Sequence, residues 1–444
     1  MTTATTSLPT VGPKIDYELV LDCVHCGLCT ASCPTYVETG NEADSPRGRI
    51  YLMRQVMDGA LELDASVKGH LDLCLDCRAC ETACPSGVQY GRLIEPFRTF
   101  MAGKEPGRQL ESLSAIQRWM LLHIFPSRLR TRLALAPARF AQWTGLDWLA
   151  GKIGVDTLLP EKLRDMKRML PPLEPHYGTL PLVLPAEGKT RARVALFLGC
   201  VADALYPQTN LHTARVLQKN GCEVWIPRTQ GCCGALHHHA AMEEEAVALA
   251  DRNLDVFATL PNGWEKLDAI VNNAAGCGAM LKEYPHLGAN PAYGEFAKKV
   301  KDVSEFLYYL GPVKPKHALN VRATYHDACH LRHAQQIHKQ PRALLEMIPG
   351  LELIPLAESE LCCGAAGSYN LTQPAMAGLL GDRKAENIRA TGARALFAGN
   401  VGCLMQIARH MKAAAPDVWC AHPIDALYAS YTGEMPKELN AGRV

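Results

Sequence analysis

The sequence of 444 residues lacks several features that mark common classes of protein. Its net charge is +1, so it lacks the basic excess of proteins that bind nucleic acid, and we expect no nucleic-acid partner. It has no run of 18 apolar residues, so we expect no membrane-spanning segment. Its first 20 residues show neither a basic start nor an apolar core, so we expect a chain that stays in the reducing cytosol.

Nucleotide-binding fingerprints are also missing, because no G-x-G-x-x-G follows a strand pattern and no P-loop is present. Cysteine is abundant instead, with 18 residues. In a reducing compartment, cysteines in such number are better explained as metal ligands or redox groups than as disulfides. The hydrophobic content of 48% and the charged content of 20% predict ordinary globular domains.

Eight N-terminal cysteines form two copies of the spacing C-x2-C-x2-C-x3-C-P, with the second copy 51 residues after the first. This spacing is typical of bacterial ferredoxins, in which the fourth cysteine of each run binds the other [4Fe–4S] cluster. Structural zinc is the alternative, but zinc sites usually pair two C-x2-C segments. We therefore predict two [4Fe–4S] clusters. The predicted ligands are Cys23, Cys26, Cys29 and Cys84 for the first cluster, and Cys74, Cys77, Cys80 and Cys33 for the second.

The segment between the two runs, residues 34–73, is predicted to be helical, since apolar residues recur at helical spacing after Ile50. Three arginines are candidates to hydrogen-bond cluster sulfurs or to offset the negative charge of the thiolates: Arg47, Arg49 and Arg78. Solvated or interfacial arginines are the alternative interpretation.

A basic connector follows, in which no acidic residue occurs between Glu111 and Asp147 while five arginines alternate with aromatic and aliphatic residues. We expect short helical pieces here, broken by Pro126 and Pro137. Such a segment could lie on a membrane surface or dock on a partner subunit, and the residues alone leave both open.

From about residue 190 the sequence repeats itself. Each copy has a β-rich run that ends at a cysteine, then a Cys-Cys-Gly loop, then a Gly-Cys pair before a helix. Strands that alternate with helices predict parallel sheets, whose ligand sites lie at the carboxyl ends of the strands. The candidate metal ligands are Cys200, Cys232, Cys233 and Cys277 in the first copy, and Cys329, Cys362, Cys363 and Cys403 in the second.

The residues leave the metal of the two repeats open between an iron–sulfur cluster and zinc. Buried structural cysteines are a further alternative, although two copies in matching positions argue against it. Cys222 and Cys420 have no counterparts in the pattern and are predicted to be core residues. His326 and His330 flank Cys329, where they could hydrogen-bond a thiolate or relay a proton.

The predicted fold class is therefore a multidomain α+β protein. A mainly helical ferredoxin-type domain (1–105) precedes a basic helical connector with a proline-rich linker (106–190). Two repeated α/β domains with mostly parallel sheets follow (191–315 and 316–444).

The motifs CVHCGLCTASCP, CLDCRACETACP, GCCG and LCCG resemble those of the iron–sulfur subunit of bacterial glycolate oxidase, over essentially the whole chain. The two repeats then correspond to CCG domains. The resemblance implies a separate FAD-containing 2-hydroxyacid dehydrogenase subunit that oxidises glycolate to glyoxylate. Electrons would pass through this chain toward the quinone pool, or another membrane acceptor, at the inner face of the cytoplasmic membrane. It further implies that FAD and all catalytic residues belong to the partner.

Similar subunits occur in lactate and glycerol-3-phosphate dehydrogenase complexes and in heterodisulfide reductase, so these functions are alternatives. The fuller CCG pattern ends in C-x2-C, and this chain has Ala274 and Asn400 at the first of those positions. We therefore rank disulfide reduction below electron transfer. In a third hypothesis, the CCG domains hold structural zinc and serve only to dock flavoprotein subunits. The 2-hydroxy acid itself stays open, because its binding residues belong to another chain.

Overall fold

The structure of the protein is a computed structural model. It describes residues 15–104, 115–154, 164, 167, 170–173 and 180–440. In this described part, no helix is both long and apolar enough to cross a bilayer.

The N-terminal part is helical, as predicted for the segment between the two cysteine runs. Its helices are α1 (Glu18–Leu21), α2 (Pro34–Thr39), α3 (Pro46–Met57), α4 (Ala65–Asp72), α5 (Ala79–Thr82) and α6 (Gly91–Lys104). Helix α3 begins at Pro46 because the Ser45 side chain accepts a hydrogen bond from the Gly48 N–H at 3.0 Å. The core of this part is apolar and includes Ile50, Met53, Leu71, Leu93 and Phe97.

The connector is also helical where the structure describes it. It contains α7 (Ala115–Trp119), a π-helical turn (Met120–Ile124), α8 (Arg128–Thr144) and α9 (Leu146–Lys152). The expectation that Pro137 breaks the helix is wrong, because this residue lies inside α8. A proline costs a helix one backbone hydrogen bond, that to the carbonyl of Leu133. Leu133 and Pro137 are both exposed, so water can reach that carbonyl.

The first repeat is an α/β domain. Its strands are β1 (Val183–Leu184), β2 (Ala192–Phe197), β3 (Cys222–Trp225), β4 (Ala269–Asn272) and β5 (Val300–Asp302). Its helices are α10 (Val201–Leu205), α11 (Pro207–Lys219), α12 (Ala235–His239), α13 (Glu243–Ala258), α14 (Ala275–Glu283), α15 (Ala292–Lys299) and α16 (Val303–Leu310). The sheet order is β1-β3-β2-β4-β5, and every neighbouring pair is parallel except β1 with β3.

The second repeat has the same plan. Its strands are β6 (Val321–His326), β7 (Leu351–Ile354), β8 (Ala395–Ala398) and β9 (Trp419–Ala421). Its helices are α17 (Lys339–Glu346), α18 (Tyr369–Thr372), α19 (Pro374–Ala390), α20 (Val401–Ala414), α21 (Pro423–Thr432) and α22 (Lys437–Asn440). The order β7-β6-β8-β9 is fully parallel and matches β3-β2-β4-β5. The predicted fold class is thus confirmed.

Strand β1 extends the first sheet into residues that the prediction assigns to the connector. Its pairing with β3 starts at Val183 opposite Trp225, so the sheet begins before residue 191. The sequence did not predict this strand, because the prolines around it are more typical of a linker than of a strand. The other domain limits stay predictions.

The two repeats share one core. Apolar residues from both sheets and from α11, α16, α17 and α21 form a single buried cluster that includes Val194, Val216, Leu344, Phe397 and Leu427. The predicted core residue Cys222 is fully buried in this cluster, whereas Cys420 is only partly buried at the edge of another.

The ferredoxin-type part is docked against the second repeat by polar contacts. The Tyr369 hydroxyl donates to the Leu73 carbonyl at 2.8 Å, and the Thr82 hydroxyl lies 2.9 Å from His333 Nδ1. The cysteine loops of the N-terminal part therefore face the edge of the sheet at which the repeat cysteines gather.

Candidate metal centres

The eight N-terminal cysteines line two neighbouring cavities. The outer group, which lines the first cavity, is Cys23, Cys26, Cys29 and Cys84. The inner group, which lines the second cavity, is Cys33, Cys74, Cys77 and Cys80. Each group thus combines three cysteines of one run with the fourth cysteine of the other, although Cys80 lines both cavities.

The two cysteine loops have the same backbone geometry. His25 and Asp76 are left-handed, with φ of 55° and 52°, and so are Gly27 and Arg78, with φ of 86° and 60°. Each loop therefore turns at two matched positions between its first three cysteines. Pro34 then starts α2 immediately after Cys33, which carries the chain away from the loop in a new direction.

The outer and inner groups differ in exposure. Cys26 is exposed, and its neighbours Val24 and Leu28 expose 68% and 60% of their surface. All four thiols of the inner group are buried. The outer group is therefore the one that a second protein can approach.

The inner group is surrounded by hydrogen-bond donors. The Tyr90 hydroxyl lies 3.6 Å from Cys74 Sγ, and Arg49 Nη1 lies 3.9 Å from Cys33 Sγ. Burial raises the pKa of the Cys77 and Cys80 thiols well above the usual value, so these thiolates need a cation to form. The arrangement of four thiols around a small cavity fits a thiolate-bound metal cluster.

In the first repeat, the four predicted cysteines meet at the carboxyl ends of β2 and β4. Cys200 Sγ lies 3.4 Å from Cys232 Sγ, and Cys233 interacts with Cys277. Because β3 and β4 lie on opposite sides of β2, this is the point where the strand order reverses, the usual ligand position in such sheets. These cysteines are called the first-repeat site.

In the second repeat, Cys329 Sγ lies 3.9 Å from Cys362 Sγ, and Cys363 interacts with Cys362 and Cys403. These four cysteines are called the second-repeat site. Cys329 and Cys362 belong to the same buried cluster as Cys77 of the inner group. The second-repeat site is thus the direct neighbour of the inner group.

The two repeat sites have different surroundings. In the first, Asn253 Nδ2 donates to the Cys232 carbonyl at 2.8 Å and Tyr284 donates to the Cys233 carbonyl at 3.1 Å. In the second, the buried Lys384 takes the position of Asn253 and donates to the Glu358 carbonyl. Lys384 could not be predicted from the sequence, because nothing in its helix marks one lysine as buried.

The residues at the positions of the two additional CCG cysteines do not supply a ligand equivalent to a thiol. Asn400 Nδ2 lies 3.5 Å from Cys403 Sγ, and its Oδ1 accepts from the Gly276 N–H of the other repeat at 3.3 Å. Ala274 is buried and carries no donor atom. The described site therefore does not fit a cluster that requires these additional cysteines.

A buried ionic network joins the N-terminal part to the first repeat, and no sequence pattern predicts it. Arg78 contacts Asp76 at 2.7 Å, Glu95 at 3.0 Å and Glu283 at 3.7 Å. His238 Nε2 lies 2.9 Å from Glu95 Oε2. Arg78 therefore pairs with carboxylates at an interface, and it also lines the cavity of the inner group.

Two other candidate side chains, Arg47 and His330, contact backbone carbonyls of the cysteine loops. The Arg47 side chain donates to the His25 carbonyl at 3.0 Å and pairs with Glu42. It therefore stabilises the backbone of the first cysteine loop. His330 Nε2 lies 3.1 Å from the Asp76 carbonyl and does not contact a thiol there. Each side chain thus supports a cysteine loop indirectly.

Comparison with known proteins follows the same order of segments. Residues 19–88 match the 4Fe-4S dicluster domain family, and residues 194–282 and 323–408 match the Cysteine-rich domain family, CCG. Residues 114–170 match the family described as the linker region of the glycolate oxidase iron-sulfur subunit.

Two relatives cover most of the chain. The probable glycolate oxidase iron-sulfur subunit of Bacillus subtilis (strain 168) is 39% identical over 405 residues, 89% of this chain and 89% of the relative. The glycolate oxidase iron-sulfur subunit of Escherichia coli (strain K12) is 35% identical over 395 residues, 87% of this chain and 89% of the relative. The chain belongs to the family of glycolate oxidase iron–sulfur subunits.

Membership of this family confirms the predicted resemblance and makes the chain an iron–sulfur electron-transfer subunit of the oxidoreductase class. A partial relative, Lactate utilization protein A of Shouchella clausii (strain KSM-K16), is 35% identical over 220 residues, 48% of this chain and 89% of that protein. Glycolate oxidase subunits therefore share part of their architecture with proteins named for lactate.

The contact between His238 and Glu95 predicts a pH-dependent stability. Burial disfavours the charged imidazole, but the Glu95 carboxylate outweighs it and raises the pKa of His238 from 6.5 to about 9. A pKa that is higher in the folded protein stabilises it fully below about pH 6.5, and this contribution is lost as the pH rises through 9. The difference in free energy of unfolding is on the order of 3 kcal/mol.

Differential scanning calorimetry between pH 6.5 and 9.5 measures this effect. The wild-type protein should lose more stability over this interval than His238→Gln, because the variant has no imidazolium to deprotonate. Parallel pH profiles of the two proteins would show that this histidine is not charged in the folded state.

Proposed function

We propose that this chain is the electron-transfer subunit of a flavin-dependent glycolate dehydrogenase that delivers electrons to the quinone pool. The observation that carries the proposal is the crossed arrangement of eight cysteines around two adjacent cavities. The printed names of the two full-length relatives support glycolate as the substrate of the complex. A separate FAD subunit would hold the substrate site.

The outer and inner groups are the proposed ligand sets of two [4Fe–4S] clusters. Such clusters supply one-electron acceptors and donors at potentials that depend on the surrounding charge and hydrogen bonds. The chain's own residues hold eight thiolates in place, exclude water from the inner group and direct Tyr90 and Arg49 toward its sulfurs. These functions need no substrate-binding residue.

The surface around the outer group is the proposed docking face for a redox partner. Leu28 and Val24 flank the exposed Cys26, and Tyr51 exposes 53% of its surface beside His25. An apolar surface of this kind next to a redox group brings the partner's group close without a buried charge.

The repeat sites are proposed to bind metal as well, either iron–sulfur clusters or zinc. Their thiols are mutually close and mostly buried, which is costly without a cation. If zinc is bound, the repeats serve the docking of partner subunits and the electron path is confined to the N-terminal part. A disulfide-reducing function has less support because of Ala274 and Asn400.

Attachment to the membrane surface is proposed through α8. Its outward face is apolar, with Leu129, Leu133, Phe140 and Trp143 exposing between 56% and 81% of their surface. Its inward face holds the buried Leu135 together with Arg128, which contacts the buried Asp203 at 3.0 Å. The helix therefore exposes large apolar side chains although it is already packed against the first repeat.

The charge around this face favours a membrane over a protein partner. The sequence has no acidic residue from position 112 to 146, and Asp147 is paired with Lys167 at 2.7 Å. Arg130 and Lys152 are exposed beside the apolar residues, and Trp148 exposes 67% of its surface. Tryptophan with basic residues is typical of helices that lie in the interface of anionic lipids.

Glycolate-dependent reduction of a quinone analogue by the purified complex with its flavoprotein tests the main proposal. Leu28→Glu should lower the rate by roughly ten-fold or more by placing a charge in the docking face, while iron content stays unchanged. Leu182→Glu, at an exposed leucine of the first repeat, should leave the rate unchanged. Full activity of the flavoprotein without this chain would contradict the proposal.

Crossed ligation is tested by Cys84→Ser and Cys33→Ser with electron paramagnetic resonance on the reduced protein. A dissolved dysprosium complex should broaden the signal of the outer group more, because only this group reaches the surface. Cys84→Ser should alter that broadened signal, and Cys33→Ser should alter the protected one. The opposite pairing would mean that each run binds its own cluster.

Membrane attachment is tested by flotation of the purified protein with vesicles. Binding to anionic phosphatidylglycerol vesicles should fall at least about ten-fold in the double variant Leu133→Glu, Phe140→Glu, because both side chains would lose their apolar contact with the lipid. Leu379→Glu, at a leucine of α19 that is 53% exposed, serves as the matched control. Equal flotation of both variants, or none of the wild type, would exclude this face.

A further inference from the structure

His326 is a buried histidine whose ring nitrogens lack hydrogen-bond partners. It is the last residue of β6 and is 0% exposed. Neither Nδ1 nor Nε2 has a partner within hydrogen-bond geometry. An unsatisfied buried polar group destabilises the folded protein, so its presence calls for a compensating interaction.

The ring lies beside two cysteines of the second-repeat site. One ring nitrogen and the sulfurs of Cys363 and Cys403 all lie within 4.8 Å of one another. An imidazole nitrogen beside two thiols is a donor set that binds metals.

The first repeat has no such residue. Phe197 ends β2 three residues before Cys200, as His326 ends β6 three residues before Cys329. Both side chains are buried, and the two strands share the same pattern of burial. One substitution thus gives two otherwise matching sites a different set of donor atoms.

We infer that His326 is a ligand of the metal at the second-repeat site, together with Cys363 and Cys403. The second-repeat site is then a mixed imidazole–thiolate site, and the first-repeat site has thiolates alone. The inference rests on the proposed function in one respect, namely that the second-repeat site holds a metal.

This assignment changes the ligand count. A tetrahedral zinc or a four-iron cluster takes four protein ligands. Since the second-repeat site offers four thiols and one imidazole, one cysteine stays unligated, and it is Cys329 or Cys362. A neutral ligand in place of a thiolate also removes one negative charge, which favours a higher reduction potential if the site is redox-active.

The backbone of Ser359 completes the surroundings of the ring. Its carbonyl accepts from the Asp327 N–H at 3.0 Å and lies near the His326 ring, outside hydrogen-bond geometry. Metal-binding histidines usually direct their second nitrogen toward such an acceptor, which fixes the orientation of the ring.

The test uses the full-length protein purified without oxygen. Metal and sulfide content are measured for the wild type and for Cys363→Ser, and the difference is the metal of the second-repeat site. Pulsed electron paramagnetic resonance then detects a coupled histidine nitrogen if the metal is iron, and X-ray absorption detects nitrogen scattering if it is zinc. Labelling with ¹⁵N-histidine identifies the nitrogen in the unmutated protein.

We expect a histidine nitrogen signal in the wild type that disappears in His326→Phe, which copies the first repeat at this position. Metal affinity of the second-repeat site should fall by roughly ten-fold or more in this variant. His333→Phe, a variant of a nearby buried histidine that bonds Thr82, should keep the signal. His326→Cys should keep the metal and lose the nitrogen.

The outcomes separate the inference from the proposed function. Metal that is lost in Cys363→Ser, without any histidine nitrogen in the wild type, overturns the inference and leaves the metal site intact. Equal metal content in wild type and Cys363→Ser overturns the metal site and the inference together. If His326→Phe does not fold, the ¹⁵N label in the wild type decides alone.

Discussion

Burial of thiol groups without an opposite charge is the constraint on which the rest of this structure depends. Most of the candidate ligands are inaccessible to water, and a thiolate in such a place is costly unless a cation or hydrogen-bond donors compensate it. The cysteine loops turn at left-handed positions, and a tyrosine hydroxyl and the buried cations Arg49 and Lys384 lie near sulfur. Because each N-terminal group takes cysteines from both runs, a bound cluster would also join segments that are distant in sequence.

The position of the inner group follows from this constraint. It lies between the N-terminal helices and the edge where the repeat cysteines gather, so the polar groups that line this junction are buried too. Arg78 lies among four carboxylates there, and each carboxylate belongs to a different structural element. Removing one partner of such a buried network leaves the other charges uncompensated, which would destabilise the junction.

Much of this organisation could be predicted from the sequence. Cysteine spacing is a local pattern, and it predicted the two groups of four N-terminal cysteines. The repeat in the second half of the chain predicted two parallel sheets with cysteines at the ends of strands. The partners of single side chains could not be predicted, since they depend on contacts between residues far apart. The contact of Arg78 with Asp76 and that of His330 with the Asp76 carbonyl are of this kind, and Lys384 carried no signal at all.

Pro137 shows a second limit of the sequence. Its effect on α8 depends on whether the carbonyl it leaves unpaired can reach water, and exposure is a property of the folded chain. The same holds for the arginines of the connector. Their number was evident from the sequence, whereas their direction toward Asp203 was not.

The direction of those arginines has a consequence for geometry. Since Arg128 and Arg132 bind Asp203 at the start of the first repeat, α8 is a fixed part of the body and not a tether. If the apolar side of α8 lies on a membrane, its contact therefore determines how the whole subunit is tilted relative to that membrane. The height of Cys26 above that surface is then a constant of the fold, and so is the distance over which an electron would have to travel to reach it.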